Sequence, residues 1–318
     1  MPMKHFLSMA ATGAILFLSE PLVLADGADT KWDILNDRIL NLVLSGEYER
    51  GVILAKKALD IAEHNALPNH PNIAISLNAL AEIYYKQGYY VKAEPLAKRA
   101  LAIREQVFGP DHPDVAASLN NLALIYNNQD KYGLAEPLYK RALAIDEKLV
   151  GPSHPDVAAI SNNLALIYDN QNDYIQAELL YKRALAIQEH SLVPNHPDIA
   201  ASLNNLASLY RSQGQHGQAE LLFKRALKVD EKSLGPEHPF VAASLNNLSK
   251  LYYKQGRYAE AEPLIKRTLV IVETSLGPEH PDVATSLNNL SSIYRAMGRD
   301  DEADLFLQRA ARIRSIER

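Results

Sequence analysis

Cysteine is absent from all 318 residues. Its absence excludes disulfides, thiolate metal sites and cysteine nucleophiles together, and with them a lipid anchor on an N-terminal cysteine. A basic excess is missing as well. Thirty-three lysines and arginines face 38 acidic residues, a formal net charge of −5. That balance argues against nucleic acid as a partner, which needs a concentrated basic surface. No nucleotide-binding loop, Gly-x-Ser-x-Gly elbow or His-Glu-x-x-His occurs, so the commonest signatures of catalysis and cofactor binding are lacking. What the chain does have is 47% hydrophobic residues, enough for a folded protein.

The first residues stand apart from the rest. Lys4 gives a weakly positive start, and Phe6 to Leu18 form an apolar run of 13 residues interrupted by Ser8, Thr12 and Gly13. That run is too short to span a bilayer comfortably. Val23-Leu24-Ala25 has the small-residue pattern of a signal peptidase site. The expectation is a signal peptide over residues 1–25, a short linker over 26–30, and an exported protein, periplasmic or secreted, with no stable membrane insertion after cleavage. An uncleaved N-terminal anchor is the alternative reading. Cleavage leaves the charge at −5, because Lys4 and Glu20 cancel.

Beyond the leader, one pattern dominates. His-Pro recurs at positions 70, 112, 154, 196, 238 and 280, always 42 residues apart, and Leu119-Asn120-Asn121-Leu122 returns at 203–206, 245–248 and 287–290. A fixed period of this length signals stacked repeats. In the copy from Val115 to Asp156, Leu119, Leu122, Ala123 and Tyr126 mark one helix face. Tyr132, Ala135, Leu138, Tyr139, Ala142 and Leu143 mark a second amphipathic helix. The polar turn Asn127-Asn128-Gln129-Asp130 separates them, and Gly151-Pro152-Ser153-His154-Pro155 leads to the next copy. Glycine there can close a helix, and Pro155 suits the first turn of another.

The small residues Ala123, Ala135 and Ala142 lie where two helices must approach closely, with Tyr126 and Tyr139 filling the spaces between. This Leu-Ala-x-x-Tyr, Tyr-x-x-Ala-x-x-x-Tyr-x-x-Ala order resembles the tetratricopeptide repeat, usually 34 residues long. The 42-residue variety here is similar to the repeats of kinesin light chains and their bacterial relatives. The resemblance covers residues 31–318. It implies an all-α fold, an α-solenoid of about seven helix-turn-helix repeats forming a superhelix, with pairs starting near 31, 73, 115, 157, 199, 241 and 283. The first pair is degenerate, since Arg38 and Ile39 replace the Leu-Ala step. The fourth has Ser161 where Leu77, Leu119, Leu203, Leu245 and Leu287 stand elsewhere, with Ile160 before it. A local shift would bring Ile160 inward, this joint should be the weakest of the stack, and Ser161→Leu should raise the unfolding temperature.

In such arrays the first helices line a concave groove. The resemblance implies that Asn121, Asn163, Asn205, Asn247 and Asn289 grip the backbone of an extended peptide, since an amide offers both donor and acceptor. The preceding set, Asn78, Asn120, Asn162, Asn204, Asn246 and Asn288, reads as structural. Specificity should then come from variable positions on the same face: Leu124, Asn127, Leu166 and Asp169 early, and Arg211, Lys250, Lys254 and Arg295 late. The late residues are basic, so the expected ligand is an extended peptide with acidic residues, as in kinesin light chains.

Other recurrent polar residues read as scaffold. The Lys-Arg pairs at 98–99, 140–141, 182–183, 224–225 and 266–267 each place a lysine four residues after a glutamate, an order that adds about a few tenths of a kcal/mol per pair, so they read as a solvated outer face. The His-Pro histidines are one repeat apart and lack metal-ligand spacing, so they read as loop caps, with no metal and no cofactor. The tyrosines at 84, 126, 168, 210, 252 and 294 read as inter-helix packing. No stretch is left over for a catalytic domain. Three functions compete: a non-catalytic peptide-binding adaptor, a structural or self-associating scaffold, and a regulatory or binding subunit for an enzyme or a glycan.

Overall fold

The computed structural model describes residues 29–65 and 69–316. The signal peptide expected over 1–25 lies outside them, as does the linker up to residue 28. Among the described residues the chain forms fourteen helices and no strand. These helices fall into two compact units, with the boundary between Asn172 and Asp173.

The first unit holds α1 (Asp29–Leu44), α2 (Tyr48–Asn65), α3 (Pro71–Lys86), α4 (Tyr90–Phe108), α5 (Pro113–Asn128), α6 (Tyr132–Leu149) and α7 (Pro155–Asn170). The second holds α8 (Tyr174–Ser191), α9 (Pro197–Ser212), α10 (His216–Leu234), α11 (Pro239–Lys254), α12 (Tyr258–Leu276), α13 (Pro281–Ala296) and α14 (Asp300–Ile316). Within each unit every helix packs against the next in chain order, the arrangement of an α-solenoid.

Each punctuation mark has a local cause. In all six His-Pro loops the histidine is the N-cap and proline is the first helical residue. Histidine Nδ1 accepts the backbone N–H two residues on, at 3.2–3.3 Å. That satisfies one of the orphan donors at the helix start. Within the repeats, one turn position is left-handed in every copy. It is glycine at Gly88, Gly214, Gly256 and Gly298, but Asp130 (φ 60°) and Asn172 (φ 64°) in two others, the residue types that tolerate this conformation best after glycine.

The alanines do what close packing needs: Ala123, Ala135 and Ala142 are wholly buried. In the degenerate first repeat Ile39 fills the alanine's place and is buried, while the Trp32 indole N–H donates to Ser76 Oγ at 2.9 Å. The end repeat is thus tied to its neighbour by a larger side chain.

Repeats are also linked by polar bonds. Tyr168, Tyr210, Tyr252 and Tyr294 donate their hydroxyls to Glu136, Glu178, Glu220 and Glu262 of the preceding second helix at 2.8–3.3 Å. Those glutamates also pair with the lysines four residues on. The arginines of the Lys-Arg pairs reach back one repeat, Arg99 to Glu63, Arg141 to Glu105 and Arg267 to Glu231, at 2.5–2.6 Å. The stripe read as merely solvated is therefore half inter-repeat clamp.

Buried polar groups recur at the joints. Arg104 donates to Ser118 Oγ at 2.9 Å and to the Asp114 carbonyl at 3.0 Å. Three repeats later by register, Asp230 accepts from Ser244 at 2.6 Å. The fourth repeat departs from this pattern. Ile160 stands at the serine position and Ser161 at the leucine position, and both are buried in a helix with the same sixteen-residue bounds as its counterparts. No local shift occurs. The two residues have exchanged places, and the Ser161 hydroxyl satisfies itself on the Val157 carbonyl at 2.6 Å.

Candidate functional site

The first helices carry the residues singled out above, and each unit is described separately. In the first unit Asn163 is nearly fully buried. Its Nδ2 donates to Asn120 Oδ1 at 3.0 Å. The second unit repeats this bond. Asn247 Nδ2 donates to Asn204 Oδ1 at 3.4 Å, and Asn289 Nδ2 to Asn246 Oδ1 at 2.9 Å. Asn204 in turn donates to Ser244 Oγ at 2.8 Å, which joins the amides to Asp230. The two asparagine sets, read separately in the sequence, form one bond from each of these repeats to the one before. Asn205 is buried as well. Asn121, by contrast, is half-buried and lines an open recess.

That recess lies between α3 and α5. Its walls are Asn78, Ala81, Glu82, Tyr85, Asn121, Leu124 and Ile125. Glu82 and Tyr85 were not among the expected site residues. Glu82 occupies the register of Leu124, Leu166 and Lys250, each a whole number of repeats away, and that register was the signal available. Its carboxyl is pushed up to about 7 by burial, against which Lys86, one turn on, offers only partial relief. Leu124 is buried and Leu166 half-buried. Asn127 is half-buried with its Oδ1 unbonded among the described residues, and Asp169 is half-buried.

In the second unit the four basic candidates divide. Lys250 is half-buried, and no hydrogen bond or ion pair engages its ammonium among the described residues. Burial lowers its pKa to about 8, with the nearby positive charge of Arg211 acting in the same direction. The Arg211 guanidinium lies 5.6 Å from the centre of the Phe223 ring, a cation–π distance. Two cations are thus held close together with one of them partly out of water, an arrangement that favours an anion. Arg295 is different: it is exposed and its charge is met by Asp304 at 2.6 Å and Asp300 at 3.8 Å. Lys254 is exposed. The basic character of the late copies therefore centres on Arg211 and Lys250.

Among the described residues no group of three histidine, cysteine, aspartate or glutamate side chains is placed to hold a metal ion, and no helix is long and apolar enough to cross a membrane.

Comparison with known proteins gives a consistent picture. The family profile described as Tetratricopeptide repeat matches residues 33–106, 77–148, 114–190, 180–232, 198–269 and 240–315. No curated protein matches the chain in sequence. Among solved structures, BtubC (BKLC) from P. vanneervenii is 25% identical, with 72% of this chain and 90% of that one covered, at a TM-score of 0.59. A putative kinesin light chain of nearly identical TPR-like repeats from Podosopora anserina is 29% identical, with 65% and 98% covered, at a TM-score of 0.55. Aspartyl phosphate phosphatase F from Bacillus subtilis is 16% identical, with 90% and 71% covered and a TM-score of 0.67, a likeness of fold alone.

Proposed function

Because the chain belongs to the tetratricopeptide repeat family and is a protein-interaction scaffold, we propose that it is non-catalytic and holds an extended peptide bearing acidic residues on its first helices. The observation that carries this reading is the half-buried Lys250 ammonium, without a counter-ion among the described residues and beside Arg211. An uncompensated cation kept partly out of water costs stability, and a carboxylate ligand offsets that cost on binding. Asn121, Asn205 and the remaining acceptor capacity of the paired amides supply contacts to a peptide main chain, which is blind to side-chain identity.

The test is fluorescence anisotropy with labelled twelve-residue peptides rich in aspartate and glutamate, against counterparts carrying asparagine and glutamine. Acidic peptides should bind more tightly, with an affinity that falls with salt. Arg211→Glu/Lys250→Glu should abolish the preference, whereas Arg295→Glu should change it little, since Arg295 is already paired. Equal binding of both peptide sets by the wild-type protein rules the reading out.

The same reading places the protein outside the cytoplasm, with residues 1–25 removed. N-terminal sequencing of the exported protein should begin at Asp26, and an intact Met1 in that fraction contradicts it.

A further inference from the structure

We propose that the recess at Glu82 is a second, oppositely charged subsite, built to take a single lysine or arginine side chain of a bound peptide. This rests on the reading of the first helices as a peptide surface, but not on the Lys250 subsite.

Three features converge there. The recess is a real concavity between neighbouring repeats, with apolar walls from Ala81, Leu124 and Ile125. Such walls suit the methylene stem of a long basic side chain. At its edge stands a half-buried carboxylate that forms no hydrogen bond or ion pair among the described residues. Around it are hydrogen-bonding groups already in place: the amides of Asn78 and Asn121, and Tyr85, whose Oη accepts from Asn128 Nδ2 at 2.9 Å. An aromatic ring beside a carboxylate is a favourable setting for a cation.

The other groups facing Glu82 do not neutralise it. Lys86 follows one turn later on the same helix and forms no ion pair with it, and Tyr48 of α2 is close enough for Glu82 to raise its pKa. Repeat register sharpens the argument. At the position of Glu82 the successive copies carry Leu124, Leu166, Ser208, Lys250 and Ser292. Two of the six residues are charged, they are opposite in sign, and each is half-buried without a partner among the described residues. A structural role explains neither, because leucine and serine serve the same packing position in the other four copies.

The experiment has two arms, both on the full chain. In the first, the Glu82 carboxyl is followed by carbon NMR as it titrates with Nα-acetyl-lysine methylamide, Nα-acetyl-arginine methylamide or the neutral norleucine analogue present. One or both cations should lower its apparent pKa by about one unit, and norleucine should not. In the second arm, acidic peptides carrying one lysine, arginine or glutamine outside the acidic run are compared. The charged residue should tighten binding about tenfold, and Glu82→Gln and Glu82→Leu should both remove that gain while leaving the acidic contribution intact. Leucine is the residue of the same register at Leu124, so this variant keeps the packing. If neither cation moves the titration more than norleucine does, or if the gain survives both substitutions, the subsite is refuted. If acidic peptides fail altogether while the cations still move the Glu82 titration, the function proposed above falls and this subsite stands.

Discussion

The Ser244 hydroxyl donates to the Asp230 carboxylate at 2.6 Å, deep in the joint between two repeats. At the same register two repeats earlier, Asp146 has Ile160 in place of that serine. The consequence is visible in the two carboxyls. Burial raises both, Asp230 to about 6 with Ser244 pulling it back down, and Asp146 to about 7 with Asp156 pushing it further up.

A folded-state pKa above the ordinary value of 3.8 means that the fold prefers protonated Asp146. Stability should therefore rise as pH falls through about 7 and level off near pH 4. Asp146→Asn should stabilise the protein by about 3 kcal/mol at pH 8, with a gain that shrinks to nothing by pH 4. Urea unfolding at both pH values checks this, and an equal gain at each would defeat it.

The exchanged pair Ile160 and Ser161 offers a second test. Both side chains are buried, so Ser161→Leu alone places two large side chains where other repeats have one. The double change Ile160→Ser/Ser161→Leu restores the common pattern and gives Asp146 a hydroxyl. Its melting temperature should exceed that of either single variant; a double variant no better than Ser161→Leu would mean that the hydroxyl contributes nothing.

Asn163→Ala removes the donor to Asn120 and leaves a buried acceptor unpaired. The cost should be about 1–3 kcal/mol, measured by denaturant unfolding. Unchanged stability together with lost peptide binding would assign this amide to the ligand instead.

Lys250→Met should raise the melting temperature at pH 6 while weakening the binding of acidic peptides. The sign follows from its lowered pKa of about 8: the fold disfavours the ammonium, so the penalty is present at low pH and fades as pH rises through 8. Peptide affinity of the wild type should fall over the same window. An affinity flat from pH 7 to 9 would remove Lys250 from the site.

At the histidine caps, burial lowers the pKa of His238, and Nδ1 accepts from the Phe240 N–H. Protonation at that nitrogen breaks the bond, so stability should decline as pH drops below about 6.5. His238→Ala should cost about 1 kcal/mol, and His238→Asn, which keeps a capping acceptor, much less. Thermal melts of both variants at pH 8 check the difference.

Much of this architecture is legible in the chain itself. The 42-residue period, the two helical faces, the alanine contacts and the His-Pro caps all depend on residues within a few positions of each other, and the structure has each of them where the pattern put it. The candidate site was legible only in part. Leu124, Lys250 and Arg211 stand in recesses or charge clusters, while Arg295 is engaged by Asp304, a partner nine residues on whose approach depends on how α13 meets α14.

The order and register of the helices were settled by sequence alone, because caps, turns and amphipathic faces are decided locally. Tertiary structure decided which amide meets which, why Lys250 and Glu82 are left without partners among the described residues, and how Ile160 and Ser161 share one joint. Those outcomes arise between residues some forty positions apart, where the packing of one repeat upon another sets distance and dielectric, and no local pattern records them.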